Sequence, residues 1–96
     1  MKYILDGKVV KPASLMEWAQ WYETADRHVA KDQIGDVKIS TVFLGMDHQF
    51  SEGEPLIFET MIFGGEHDQY QDRCSTWDQA EAQHAEAVLM VRKSLQ

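Results

Sequence analysis

Residues 37–63 read VKISTVFLGMDHQFSEGEPLIFETMIF, and that run decides the fold. Two nearly wholly apolar segments, 37–46 and 56–63, flank a polar loop at 47–55 in which Gly53 and Pro55 are turn residues. Each segment is rich in β-branched and aromatic side chains and bounded by turn signals, which predicts a strand. A loop this short predicts that the two strands pair antiparallel. In the first strand Val37, Ile39, Thr41, Phe43 and Gly45 share a face; in the second Leu56, Phe58, Thr60 and Ile62 do so. A continuous apolar run is the mark of a sheet buried on both faces. Thr41, Asp47, His48 and Glu59 therefore fall in or beside what should be core. A buried charge needs a partner or must neutralise, so these polar groups make the strand pair the first place to look for a site.

Working towards the N-terminus, residues 1–10 predict a short hairpin turning at Asp6-Gly7. Pro12 ends it, and Ser14 with Glu17 forms an S-x-x-E capping box. Leu15, Trp18, Tyr22, Ala25 and Val29 then recur at helical spacing, predicting an amphipathic helix over 15–30 with Glu17, Gln20, Glu23, Arg27 and Lys31 outward. Towards the C-terminus, Gly64-Gly65 ends the second apolar strand, and 69–74 can form a further edge strand. Ser75 and Asp78 read as a second cap, opening a helix over 76–94 whose stripe is Ala80, His84, Ala87, Val88, Val91 and Leu95. The expected architecture is α+β, order ββαβββα, with two helices packed on a mostly antiparallel sheet in one domain spanning 1–96.

Composition narrows the function classes. With 9 basic against 16 acidic residues, the formal net charge is −7. Direct nucleic-acid binding wants a basic footprint, so it is disfavoured. An acidic surface that mimics nucleic acid and an ordinary soluble protein both remain open. A lone cysteine, Cys74, makes no internal disulfide and no CxxC metal pair. The segment MKYILDGKVV lacks a leader's apolar stretch, and no apolar run reaches membrane-spanning length. The expected setting is intracellular, with no membrane partner, no metal and no cofactor.

Asp47-His48 offers a carboxylate that orients an imidazole, or simply a loop start stabilised by side-chain bonds to its own backbone. Glu59 is either a ligand carboxylate, a carboxylate at a sheet edge or the partner of Arg27 or Arg73. Glu66, His67 and Asp68 adjoin Gly64-Gly65 and read as a solvated turn in preference to metal ligands. His84 reads as a hydrogen-bonded core histidine. Trp18 and Tyr22 belong to the helix stripe, whereas Trp21 lies off its centre and can cover a sheet edge, form a subunit contact or stack on a base.

The frame W-x-x-W-x-E, D-R-x-V-A, STVFLGMDH, PLIFETMIFGG and R-C-S-T-W-x-x-A-x-A-x-H resembles a widespread family of short phage and prophage proteins, over nearly the whole chain. That resemblance extends to the Thoeris anti-defence sponges, small oligomeric proteins that sequester cyclic ADP-ribose-type or cyclic oligonucleotide signals without cleaving them. It implies a counter-defence accessory protein in the host cytoplasm, a homo-oligomer that binds a small nucleotide. Such a ligand needs arginines for phosphate, an aromatic for stacking and a carboxylate or amide for ribose or base. Arg27, Arg73, Phe43, Trp21, Glu59, Asp47 and His48 are the candidates to supply them. The rival readings are an acidic protein-binding inhibitor that mimics nucleic acid and a small enzyme using Asp47, His48 and Glu59.

Overall fold

A computed structural model describes residues 1–47 and 53–96. It is an α+β structure of two antiparallel sheets and two helices. The order is β1 (Lys2–Asp6), β2 (Val9–Ala13), α1 (Leu15–Thr24), β3 (His28–Ile34), β4 (Val37–Phe43), β5 (Phe58–Phe63), β6 (Gln71–Cys74) and α2 (Trp77–Ser94). β1 and β2 form a hairpin; the other four strands form a sheet in the order β3-β4-β5-β6. The expected antiparallel pair lies at the centre, with Ile39 opposite Ile62, Thr41 opposite Thr60 and Phe43 opposite Phe58.

The strand β3 is a correction. The helical spacing of Trp18, Tyr22, Ala25 and Val29 predicts a helix to residue 30, yet α1 stops at Thr24. Ala25 is already extended (φ −75°, ψ 141°). The Asp26 carboxylate accepts from the His28 N–H at 3.0 Å, a local bond that competes with the helix ladder. Beyond it, Gly35 and Asp36 are the two central residues of a tight hairpin between Ile34 and Val37. Gly35 sits at φ +59°, the first-position glycine that a two-residue hairpin loop favours. Gly35 is thus a hairpin residue and not a helix exit. The first hairpin likewise turns on Gly7-Lys8, since Asp6 itself pairs with Val9.

Both helices begin with reciprocal capping boxes, Ser14 with Glu17 and Thr76 with Gln79. The second is one residue further on than the Ser75–Asp78 cap expected, because Gln79 supplies the N3 side chain. α2 lies across one face of the large sheet and buries Ala80, His84, Ala87 and Val91. Its last expected stripe residue, Leu95, is exposed.

The core divides into two apolar clusters along α2. At one end Val37, Ile39 and Ile62 meet Ala87 and Val91. At the other Phe43, Ile57, Phe58 and Cys74 meet Ala80, with Tyr3, Leu5 and Val10 of the first hairpin, Trp21 of α1 and Trp77 closing the side. The hairpin is tied to β4's exit by the Tyr3 N–H donating to the Gly45 carbonyl at 2.9 Å. Gly45 has to be glycine: φ is +76°, and a Cβ would stand 2.7 Å from Trp18 Nε1.

A second correction concerns the sheet's other face, which no element of the described residues covers. Alternation along the strands puts Lys31, Gln33, Lys38, Ser40, Val42, Glu59, Met61, Phe63, Gln71 and Arg73 there. The apolar run therefore does not mark burial on both sides. It marks one buried face and one face that is half-shielded by its own long side chains.

Candidate functional site

Between the two apolar clusters lies a layer of polar side chains. Thr41 and Thr60 are fully buried, directly opposite each other, and their hydroxyls are 2.7 Å apart. Thr41 Oγ1 is 2.8 Å from His84 Nδ1. The other ring nitrogen, Nε2, lies 2.7 Å from Asp32 Oδ2 on β3. A neutral imidazole with its proton on Nε2 satisfies the whole chain. Nε2–H donates to Asp32, Nδ1 accepts from Thr41, and Thr41 accepts from Thr60. Because Thr41 and Thr60 are fully buried and His84 is 5% exposed, the bonded ring is held inside the core. This layer fastens α2 to β3, β4 and β5, and His84 is the hydrogen-bonded core histidine expected.

The uncovered face carries a different chemistry. Lys38 stands directly opposite Phe63, which is 39% exposed. Lys31 lies diagonally from Lys38 across the β3–β4 ladder, so their Cβ atoms are about 7–8 Å apart. Lys31, Gln33 and Lys38 line a hollow of about 370 Å³ together with Asp32. At the opposite corner Arg73 pairs with Glu59 directly across β5 and β6, its Nε donating to Oε2 at 2.9 Å. Gln71 Nε2 donates to the same oxygen at 2.5 Å. Three cations and one carboxylate thus share this face, and the carboxylate is already engaged twice. The molecule is polarised: a chain of net charge −7 presents a locally basic sheet face.

The residues singled out from sequence scatter over the structure. Phe43 is fully buried, with its ring edge-on to Trp21 (centroids 5.6 Å) and tilted against Phe58 (5.2 Å). Neither face of Phe43 is left for a base, and Trp21 serves as its cover. Arg27 lies over the Tyr22 ring at 4.2 Å, a cation–π contact. Its backbone carbonyl accepts from the Phe43 N–H, which places it at the β3 edge of the sheet. Arg73 is on the opposite edge, three strand spacings or about 14 Å away. The two arginines do not converge on one phosphate. Asp47 accepts from the Leu56 N–H at 3.1 Å, a loop-closing bond. His48 lies outside the described residues. Among the described residues the candidates meet as two separate pairs, Phe43 with Trp21 in the core and Glu59 with Arg73 on the open face, and Lys31, Lys38 and Phe63 are the face residues that sequence reasoning passed over. The helical spacing puts Lys31 on a helix; Lys38 alternates with the apolar Val37 and Ile39, and that alternation is the signal that marks the open face.

Two further grooves flank α2. One, about 610 Å³, runs along β6 and is lined by Glu54, Asp72, Glu86 and Gln83 among others. Gln83 Nε2 donates to the Arg73 carbonyl at 3.0 Å, which fixes the amide and leaves its buried Oε1 without a partner. The other, about 540 Å³, runs between β3 and α2. Among the described residues no group of three or more His, Cys, Asp or Glu gathers to hold a metal ion, and no helix is long and apolar enough to cross a membrane.

Cys74 is buried beside the acidic groove, and desolvation pushes its thiol from an ordinary 9.0 up to about 11. The expected result is a thiol that alkylates roughly 100-fold more slowly at pH 8 in the folded chain than in urea, because the thiolate is the nucleophile. Iodoacetamide labelling followed by mass spectrometry reads this. The sign for stability follows from the same shift. Between pH 9 and 11 the unfolded chain has released a proton that the folded chain keeps, so stability falls as pH rises through that window.

No protein-family model matches the chain, no curated protein matches it, and no solved structure matches it.

Proposed function

We propose that the uncovered sheet face binds a phosphate-bearing nucleotide signal, such as a cyclic ADP-ribose isomer or a cyclic oligonucleotide, and holds it without cleaving it. This is the sequestering activity of phage counter-defence proteins in the host cytoplasm. The observation that carries the reading is the pair Lys31 and Lys38 on one open face of an acidic chain, with a half-exposed Phe63 beside Lys38 and Arg73 at the far edge of the same face. Lysines supply phosphate charge, the exposed ring supplies a stacking surface, and Gln33, Ser40 and Gln71 supply hydrogen bonds to base or ribose. Glu59 acts here as the anchor that fixes Arg73, leaving that guanidinium's terminal N–H groups for ligand. A second copy of the chain closing over the face would cover Phe63 and Met61 and exclude water from the ligand, which is the homo-oligomer this reading includes.

Isothermal calorimetry with cyclic ADP-ribose isomers and cyclic di- and trinucleotides tests the proposal, with mass spectrometry of the ligand afterwards. The expected outcome is heat with at least one ligand and its recovery intact. Absence of heat with all of them refutes the binding, and recovery of a hydrolysed product replaces sequestration with an enzyme.

One observation favours the acidic-inhibitor reading as a second choice: Glu54, Asp72 and Glu86 line the groove beside β6 against a single cation, Arg73. A basic protein partner held there would be released progressively by salt.

A further inference from the structure

The edge of β3 is built to receive another strand. A two-residue loop makes Ile34 and Val37 a hydrogen-bonded pair, and alternation then makes Asp32–Ile39 and Ala30–Thr41 the bonded pairs of the ladder. The Phe43 N–H donating to the Arg27 carbonyl continues the same odd-numbered series on β4. The backbone groups of Lys31 and Gln33 consequently point away from β4, and no strand pairs with that edge among the described residues. Beside the edge, on the α2 side, runs the groove of about 540 Å³. Its apolar floor is Ala30 from β3 with Ala85, Val88 and Leu89 from α2, and Leu89 is 54% exposed.

We infer that this groove takes an extended peptide of a partner protein, added antiparallel to β3 with alternate apolar side chains directed onto α2. Strand addition of this kind draws affinity from main-chain bonds and specificity from alternate side-chain pockets. The charges at its ends set the partner's chemistry. α2 runs in the same direction as β3, since Ala80 packs with Phe43 and Phe58 while Val91 packs with Val37 and Ile62. Glu81 therefore stands where β3 begins and Arg92 where it ends, with Asp32 between them. An antiparallel peptide meets Arg92 first and Glu81 last, so it is acidic at its N-terminal end and basic at its C-terminal end. A second copy of β3 is a poor occupant. Two-fold pairing centred on Lys31 or on Asp32 sets like charges face to face, which destabilises a ladder.

The test is selection from a displayed library of extended peptides of about ten residues, long enough to span one strand. Enriched sequences are expected to alternate apolar residues between an acidic start and a basic end. Bound peptide should protect the Lys31 and Gln33 amides from hydrogen exchange. N-methylation of alternate peptide amides, or Leu89→Asp in the protein, should weaken binding at least roughly tenfold. Leu89 is exposed, so that variant tests the groove and not folding. No enriched sequence, binding that survives Leu89→Asp, or unprotected Lys31 and Gln33 amides overturns the inference.

Discussion

Replacing His84 by alanine is expected to lower stability by about 3 kcal/mol, combining a small cavity with stranded buried hydroxyls. Urea titration reads the loss directly, and Tm should fall by roughly 15 °C for a chain of this size. The cost arises because His84 hydrogen-bonds Thr41, and Thr41 in turn bonds Thr60. Removing the ring leaves two hydroxyls in a fully buried layer with one bond between them. The same logic separates the threonines. Thr41→Val strands both His84 Nδ1 and the Thr60 hydroxyl, whereas adding Thr60→Val to it removes one of those stranded groups. The double variant should therefore cost less than the sum of the singles, as coupled neighbours do. A loss below about 1 kcal/mol for His84→Ala would mean that the polar layer is not what holds the helix to the sheet.

Reversing the charge of the open face should have the opposite profile, a large effect on ligand and almost none on folding. Lys31→Glu with Lys38→Glu removes two cationic contacts, each worth about 1.5–3 kcal/mol when made to a phosphate. Nucleotide affinity should fall at least roughly 100-fold, while urea midpoints stay near those of the parent because both side chains are exposed. Arg73→Ala is less clean, since it also releases the half-buried Glu59 carboxylate from its partner. Unchanged affinity in the double-lysine variant would remove the basic face from the site.

How much of this was legible in the sequence depends on which interactions decide each element. The β4–β5 pair and the first helix cap are local signals: two apolar runs rich in β-branched and aromatic residues with turn residues between them, and Ser14 spaced three from Glu17. β3 was hidden because Trp18, Tyr22, Ala25 and Val29 keep helical spacing straight through the point where the chain leaves the helix. What stops α1 is the Asp26 side chain bonding the His28 N–H, and what recruits 28–34 into the sheet is a partner strand across Gly35-Asp36. The pairing of Glu59 with Arg73 was one of the alternatives read from sequence, because a carboxylate in an apolar strand demands a partner. Its site role and the convergence of Arg27 with Arg73 are separate matters. Sheet order alone puts the arginines on opposite edges, and no local pattern encodes sheet order. Asp32 as the outer anchor of His84 was equally out of reach, being 52 positions away along the chain.

The central claim is that the nucleotide sits on the uncovered sheet face, and backbone amide shift mapping by NMR tests it most directly. A cyclic ADP-ribose isomer or cyclic dinucleotide titrated into the labelled protein should move the amides around Lys31, Lys38, Phe63 and Arg73 and leave the middle of α2 in place. Shifts confined to α2 and the acidic groove beside β6, or no shifts with any of these ligands, would contradict it.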